Sequence, residues 1–368
     1  MGKIDELIQQ YCPDGVEYKP LGKVCLMERG TSATKGTMQS GEIPVISGGR
    51  QPSFYCNQSN RTGETITVAG SGAGAGYVQY WNEPIFVCDA FSIKGSDNII
   101  TKFVYYFLAS IQEQIYSTKK GGGVPHVHIS SIDKFEIPLP PLPVQEAIVN
   151  ILDRFTVYAA ELQAELQARQ QQYEYYRDTL LSFEGREDVQ WKKLGEVADL
   201  GTGSHNTQDG LSEGKYPFYT RGSEILYLNN YDYDETAIIT AGDGAGVGKV
   251  FHFVQGKYAL HQRAYRIVPN EKIVLARFVY YYIGATFYNY IMKSSVSSSV
   301  VSIRKPMMVD YPIPVPSIEE QEKVISILDR FDTLVNDLSQ GLPAEIEARQ
   351  QQYEYYRDQL LTFKRKEV

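Results

Sequence analysis

The stretch Ala168-Arg-Gln-Gln-Gln-Tyr-Glu-Tyr-Tyr-Arg-Asp178 returns letter for letter at Ala348 to Asp358. Chance does not produce such an identity, and so long a period marks a duplicated architecture rather than a solenoid. Working outward, the matches keep the same order in both halves. Ile151-Leu-Asp-Arg-Phe155 returns as Ile327-Leu-Asp-Arg-Phe331, and Ile137-Pro-Leu-Pro140 is echoed by Tyr311-Pro-Ile-Pro314. Leu21-Gly22 pairs with Leu194-Gly195, Pro44 with Pro217, Phe103-Val-Tyr-Tyr106 with Phe278-Val-Tyr-Tyr281, and the glycine loop Gly70 to Gly76 with Gly242 to Gly248. Leu7-Ile8 and Val16-Glu-Tyr-Lys19 resemble Leu180-Leu181 and Val189-Gln-Trp-Lys192, so the N-terminus reads as the tail end of the same unit, as if the molecule were circular.

Each half is thus a globular stretch followed by a polar, helix-favouring segment. The boundaries fall at 1-143 (with a short helix over 3-11), 144-183, 184-317 and 318-368. Short β-branched runs bounded by Gly and Pro (Thr65 to Val68, Ile85 to Val87, Ala237 to Thr240) predict strands, and 101-115 and 275-292 predict helices. In the first helical segment, apolar residues recur at steps of four and three: Ile148, Leu152, Phe155, Ala159, Leu162, Leu166, Tyr173, Tyr176, Leu180 and Phe183, with Arg169 the polar member. That spacing is a coiled-coil seam. The second copy runs from Val324, Leu328, Phe331, Val335, Leu338 and Leu342 through Ile346, Arg349, Tyr353 and Tyr356 to Leu360 and Phe363. Four extra residues near Gly341-Leu-Pro343 make a stutter there, and Gly with Pro predicts a helix break. A lone seam reads as a core helix, but two matching seams have each other to pack against. The predicted fold is α+β: two pseudo-twofold-related mixed α/β domains separated by two long antiparallel coiled-coil helices. Ile148 to Phe183 would span about 54 Å at ~1.5 Å per residue, a rod fixing the distance between the domains.

Composition bounds the function. With 368 residues, 43% of them apolar, the chain fills two cores, and no apolar run approaches the roughly 20 residues needed to cross a bilayer. No signal peptide follows Met1, so a soluble, cytoplasmic protein is expected. Cys12, Cys25, Cys56 and Cys88 lack zinc-binding spacing and read as free buried thiols. The formal charge of −8 argues against nucleic acid until it is located: 144-183 holds six acids and three bases, 318-363 ten acids and four bases. The helices therefore carry −9 and the rest of the chain about +1, so the acidic balance does not veto contact between the domains and a polyanion.

Catalytic parts are missing. The glycines of Gly70 to Gly76 and Gly242 to Gly248 alternate with period two and do not make a dinucleotide fingerprint; Gly248-Lys249 lacks the rest of a P-loop. No methyl-transfer element of the Asn-Pro-Pro-Tyr kind is present. Pro13-Asp14 with Glu17-x-Lys19 only mimics a nuclease signature, and His126-x-His128 and lone His261 read as hydrogen-bonded surface groups rather than metal ligands. The chain is predicted not to be an enzyme and to need no metal.

What remains are polar loops carrying bases. Ser117 to His128 sits at the same place in its half as Lys293 to Lys305, and such loops suit phosphates through backbone N–H groups, hydroxyls and charge. Gly48 to Tyr55 and Thr220 to Ser223 present Arg and Gln, which read guanine and adenine edges. An ordinary solvated loop is the bland alternative for each. The nucleic-acid candidates are Arg50, Gln51, Ser53, Tyr55, Ser71, Lys119, Lys120, His126 and His128 in the first half. In the second half they are Arg221, Ser223, Asp243, Gln262, Arg263, Ser297, Ser298, Arg304 and Lys305. The duplicated helix patch supplies partner-binding candidates: Arg169, Gln172, Tyr173, Tyr175 and Tyr176, with Arg349, Gln352, Tyr353, Tyr355 and Tyr356.

The layout resembles the specificity subunit of type I restriction-modification enzymes. The resemblance rests on Leu139 to Phe155 and its copy from Glu320-Gln321-Glu322 to Phe331, on the two domain-plus-helix halves, and on Ala160-Glu-Leu-Gln163 repeated as Ala164-Glu-Leu-Gln167. It covers essentially the whole chain. It implies a non-catalytic subunit that binds a bipartite, asymmetric DNA sequence, recruits two methyltransferase subunits through its helices and joins restriction subunits. S-adenosylmethionine then belongs to the methyltransferase partner, and the four-residue repeats set the spacing between recognition domains. The Gly341-Leu-Pro343 break and the lone Ala344-Glu-Ile-Glu347 depart from that pattern. Two readings from other classes are a coiled-coil scaffold without DNA binding and a stand-alone DNA-modifying enzyme.

Overall fold

The computed structural model describes residues 2–294 and 302–367. They form two compact units, Met1–Gln163 with Glu345–Val368 (unit 1) and Ala164–Ala344 (unit 2). The sequence boundaries put each helix in a segment of its own, whereas the compact units share the helices between them. Leu142–Leu180, one 39-residue helix, belongs to unit 1 up to Gln163 and to unit 2 from Ala164.

In unit 1 a four-stranded antiparallel sheet has the order Cys25–Arg29, Ala90–Gly95, Thr65–Ala69, Val78–Trp81. All five residues of Thr65–Ala69 are buried, as a β-branched run in the middle of a covered sheet should be. A smaller sheet runs Phe54–Cys56, Ile43–Ile46, Phe86–Val87, its last pair parallel. The helix Thr101–Ser110 buries Phe103, Val104, Tyr106, Phe107 and Leu108, and a kink at Ile111 separates it from Gln112–Ser117, so the segment predicted as one helix is two.

Unit 2 repeats the plan as a single six-stranded sheet: Ala198–Thr202, Ala264–Pro269, Tyr233–Ala241, Phe251–Leu260, Tyr216–Tyr219, Ile225–Leu228. Here Phe251–Leu260 is unbroken and pairs antiparallel with Tyr233–Ala241 before running parallel to Tyr216–Tyr219. In unit 1 the corresponding path is interrupted between Trp81 and Phe86 by Asn82-Glu83-Pro84, where proline has no N–H to give to a ladder. Ala276–Ser294 is the covering helix.

Each unit is closed by a two-stranded ribbon, Tyr18–Pro20 with Glu136–Pro138 and Gln190–Lys193 with Pro312–Val315. Lys19 faces Ile137 and Lys192 faces Ile313, so the ladders align Ile137-Pro138 with Ile313-Pro314. The echo read as Tyr311-Pro-Ile-Pro314 is therefore two residues out of register. Tyr311 instead accepts from Leu194 N as Phe135 accepts from Leu21 N.

A buried amide then fixes each helix to its unit. Gln145 Oε1 accepts from Ile100 N (2.9 Å), while its Nε2 donates to Pro140 O (2.7 Å) and Asn98 O (3.0 Å). Gln321 does the same with Leu275 N (2.8 Å), Pro316 O (2.9 Å) and Ile273 O (3.3 Å), and both glutamines are fully buried. Two turns on, Asp153 accepts from Tyr106 Oη (2.5 Å) and Lys102 Nζ (2.8 Å); Asp329 accepts from Tyr281 Oη (2.5 Å) and Arg277 Nε (2.8 Å). The repeated Ile-Leu-Asp-Arg-Phe thus has a structural role in both copies.

The seams divide into two parts. Ile148 and Leu152, and likewise Val324 and Leu328, lie in the cores of their own units. Farther along, Phe155 packs on Tyr353 and Tyr356 in unit 1 (centroids 6.3 and 5.6 Å), and Phe331 on Tyr173 and Tyr176 in unit 2 (6.2 and 5.5 Å). The predicted break is present: Ile318–Asn336 ends before Leu342–Leu361 begins. Leu338, placed on the seam by its spacing, falls in that break and is 77% exposed.

The two ends of the chain meet in unit 1. Val16 N donates to Lys364 O (2.8 Å), Lys366 N to Val16 O (2.9 Å), and Arg365 pairs with Glu136 (2.6 Å). Leu360 and Leu361, rather than Leu7 and Ile8, supply the counterparts of Leu180 and Leu181; the helix Gly2–Tyr11 is an addition whose Ile4 is buried in the same core. Cys12, Cys25 and Cys56 are buried and Cys88 half-buried; burial pushes the Cys25 thiol up to about 12.

Replacing Gln145 by Ala takes away the buried amide that partners Ile100 N and the carbonyls of Pro140 and Asn98, and is expected to cost about 2–4 kcal/mol. Trp81 lies in unit 1 and Trp191 in unit 2, and the chain has no others. Urea unfolding followed by fluorescence in a Trp191→Phe background should therefore show a lowered midpoint for unit 1; an unchanged midpoint would deny the glutamine its role.

Candidate nucleic-acid interface

In unit 1 the loop Gly70 to Gly76 turns sharply after Thr65–Ala69, with Gly72 and Gly76 in the left-handed region at φ 79° and 85°. A Cβ on Gly74 would lie 2.4 Å from Gly48 O, and one on Gly48 2.1 Å from Ser71 O, so the two loops touch backbone to backbone. A third segment joins them: Gly72 N donates to Pro125 O (3.0 Å), Val127 N to Gly70 O (3.0 Å), and Lys120 and His126 exchange both backbone bonds (2.9 and 2.8 Å). This junction gathers Arg50, Ser71, Lys120, His126 and His128. The Ser71 hydroxyl donates to the Asp89 carboxylate, the His126 and His128 rings lie nearly parallel at 6.2 Å, and Lys119 Nζ sits 4.0 Å from the Tyr116 ring centroid. The Arg50 guanidinium lies over the Tyr77 ring at 4.9 Å. Gln51 is exposed beside Arg50, whereas Tyr55 belongs to the small three-stranded sheet and Ser53, bonded through its N–H to Val45 O, leads into its strand Phe54–Cys56.

Unit 2 rebuilds the junction with other side chains. A Cβ on Gly246 would lie 2.4 Å from Arg221 O, Gly242 N donates to Arg263 O (2.8 Å), and Ile303 N to Gly242 O (2.8 Å). Asp243 accepts from Arg221 Nη1 (2.8 Å) and Arg263 Nη1 (2.9 Å). Burial alone would raise the Asp243 carboxyl, but the two guanidinium hydrogen bonds outweigh it and hold the group below the usual carboxylate range. Arg304 precedes the short helix Lys305–Val309 as His128 precedes Ile129–Ile132, both extended. Gln262 Nε2 donates to Asn206 Oδ1 (2.5 Å), and Ser223 and Lys305 are exposed. Ser297 and Ser298 lie outside the described residues.

His261 is not a surface group: it is buried, its Nδ1 accepts from Arg263 N (3.0 Å), and burial, then the Arg221 charge, hold its pKa down. Two residues escaped the sequence reading. Asp89 joins the unit 1 junction through Ser71, and Ser302 bridges to Asp243 as His126 does to Ser71. Their only sequence signal was the place each takes in the repeat. Among the described residues no group of three or more His, Cys, Asp or Glu is placed to hold a metal ion, and no helix is long and apolar enough to cross a membrane.

The duplicated helix patch splits by face. Arg169 and Arg349 each donate to the glutamine three residues on, Gln172 and Gln352, at 2.9 Å. Tyr173 and Tyr353 are half-buried against the facing phenylalanines, and burial pushes both phenols up to about 12. Tyr175 and Tyr355 point away from that packing, 67% and 59% exposed.

A family model for the type I restriction modification DNA specificity domain matches residues 13–169 and 186–348. The chain belongs to this family. It is 33% identical over 395 residues to the type I restriction enzyme EcoR124I/EcoR124II specificity subunit of Escherichia coli, with 96% of each chain covered. It is 30% identical to the EcoprrI specificity subunit of the same organism over 275 residues, covering 69% of this chain and 67% of that one. In fold it is similar to the type I restriction-modification S subunit from M. genitalium, with a TM-score of 0.69 at 19% identity, covering 94% of this chain and 96% of that one. The two junctions therefore belong to the DNA target recognition domains of a type I specificity subunit, one in each matched stretch.

Because the Asp243 pKa is depressed in the folded state, its contribution to stability is present above the ordinary carboxylate range and is lost as pH falls through the depressed value. Asp243→Asn should destabilise unit 2 by about 1 kcal/mol at neutral pH. The gap from wild type should close as the carboxylate protonates; thermal melts across pH would read it, and a gap independent of pH would contradict the ion-pair account.

Proposed function

We propose that this specificity subunit grips a bipartite, asymmetric duplex, each recognition domain contacting one half-site and the helices setting the interval between them. The target recognition domains are residues 1-143 and 184-317, and the helical segments 144-183 and 318-368. The observation that carries the reading is a contrast within one chain. The loop junctions share a backbone frame but carry different side chains, while the helix patches share even their exposed residues. Divergent side chains on a common frame suit two different half-sites, and identical surfaces suit two copies of one partner. That partner is a methyltransferase subunit, which brings the S-adenosylmethionine. The present chain is non-catalytic and takes no cofactor of its own. A restriction subunit joins the same cytoplasmic complex.

The contacts divide by chemistry. Lys119, Lys120, Arg304, Lys305 and the serines of the second loop, Ser297 and Ser298, meet phosphates, fixing register without sequence information. Arg50, Gln51, Ser53, Tyr55, Ser71, His126 and His128 face the first half-site, and Arg221, Ser223, Asp243, Gln262 and Arg263 the second. On the helices, Arg169, Gln172, Tyr173, Tyr175 and Tyr176, with their copies Arg349, Gln352, Tyr353, Tyr355 and Tyr356, form the partner surfaces, and the exposed Tyr175 and Tyr355 carry the most contact.

Deleting Ala164 to Gln167 removes one of two tandem four-residue copies from a continuous helix. In cells carrying the complete system, methylome sequencing should show a shorter interval between unchanged half-sites. An unchanged interval would sink the helix as a spacer, and the absence of any methylated motif in wild-type cells would sink the DNA-recognition reading. Tyr175→Ala with Tyr355→Ala should leave the melting temperature within about a degree, since both side chains are largely in solvent. The double variant should lose the methyltransferase subunit on size exclusion, and full retention would move the partner surface elsewhere.

A further inference from the structure

We propose that a small cleft at the same backbone positions in both units is where each unit reads a base pair. The two clefts take opposite partners: a base edge bearing an amino group in unit 1, and guanine in unit 2. The inference rests on the DNA-recognition reading above and names the site that performs it.

The clefts match because their frames match. In unit 1 a cavity of about 260 Å³ is bounded by Arg29, Gly70, Asp89, Phe91 and His126. In unit 2 one of about 220 Å³ is bounded by Thr202, Gly242, Arg263, Tyr265 and Ser302. Arg29 faces Phe91 across the ladder of the first pair of strands, and Thr202 faces Tyr265 across the corresponding ladder. Gly70 O accepts from Val127 N, and Gly242 O from Ile303 N. An aromatic ring, a glycine carbonyl and two strand ends therefore recur at equivalent places, while the polar side chains between them do not.

The difference is one of charge. Where unit 1 has Ser71 and Asp89 in contact, unit 2 has Asp243 and Arg263 in contact. Asp89 is exposed, and the Ser71 hydroxyl engages only one of its oxygens, leaving the other to accept. An ionised carboxylate only accepts, so it suits the N4 amino group of cytosine or the N6 amino group of adenine. Arg263 is 63% exposed, and Asp243 engages it through Nη1. Its remaining N–H donors suit O6 and N7 of guanine. In both units the reading group is held by a neighbour on the glycine loop, which cannot shift freely because Gly74 and Gly246 abut the backbone of the adjacent loop. Such pre-orientation separates a reading group from a solvated surface charge.

The test uses the chain assembled with its methyltransferase subunit and a pool of duplexes with a randomised central segment, selected and sequenced. Arg263→Gln should weaken the preference for one guanine in one half-site by about tenfold or more, or exchange it for adenine, leaving the other half-site and the interval unchanged. Arg263→Lys keeps the charge but loses the fork, so the same guanine preference should fall while retention on random duplex and its salt dependence persist. Asp89→Asn should relax a cytosine or adenine position in the other half-site only. Both side chains are exposed, so the variants should stay folded, with no more than the small melting shift that loss of one surface contact, Ser71 with Asp89 or Arg263 with Asp243, brings. Variants that select the wild-type sequence in both half-sites overturn the cleft as reader while the DNA-recognition reading stands. So does a loss of salt-dependent retention without a change of base preference, or an affected position in the Arg263 half-site that is not guanine. If the wild-type complex selects no sequence at all, the reading itself fails and this inference falls with it.

Discussion

A single fully buried carboxamide at the start of each long helix holds that helix to its own unit. Gln145 and Gln321 each satisfy one N–H and two carbonyls on segments that have no regular partner of their own. Buried polar groups of this kind are costly when half-satisfied and rigidifying when complete. Only glutamine, with two donors and an acceptor on a side chain of that reach, closes the set. The Asp153 and Asp329 clamps add a second point of attachment on the same helix, and two points fix its rotation as well as its position. The orientation of the helix surface relative to the sheet of its own unit follows from those few bonds.

The helices were legible because periodicity is a local property. The spacing of four and three, the stutter and the Gly-Pro break all correspond to observed elements. An apolar stripe does not reveal what it faces, however. Ile148, Leu152, Val324 and Leu328 satisfy the seam pattern yet serve the unit cores, and Leu338 satisfies it while standing in solvent, because the stutter ends the helix before that residue. Strand register was less readable still. Matching letters paired Ile137 with Tyr311, but the ladders to Lys19 and Lys192 choose Ile313, since register is set by the partner strand, which letter matching does not consult.

For the candidate interface, alternating glycines and the repeat located both junctions, since a backbone that must approach another backbone has few residues to choose from. The contacts inside the junctions were not visible. Asp89 lies eighteen residues from Ser71, and Ser302 fifty-nine from Asp243, and the letter-level match fades where the loops diverge. His261 misled for a related reason: a lone histidine in a polar stretch looks solvated, yet the turn that presents Gln262 and Arg263 outward turns His261 inward. Tyr55, grouped with Arg50 by proximity in sequence, stands in the strand Phe54–Cys56, and Ser53 leads into it, while Arg50 lies in the bend before them.

Identity and divergence carry different physical information here. Residues retained in both copies because of packing are accounted for from within: Gln145 and Gln321, Asp153 and Asp329, Tyr173 and Tyr353 all have partners inside their own unit. Gln171, Glu174, Tyr175 and Asp178 are exposed, as are Gln351, Glu354, Tyr355 and Asp358, and packing places no demand on such positions. A recent duplication would leave exposed residues identical everywhere, yet the exposed side chains of the two loop junctions differ at nearly every matched place. The same chain thus preserves one kind of surface and varies another. On the proposed function, the constraint on the helix patch comes from a partner that touches both copies alike, and the freedom at the loops from half-sites that differ.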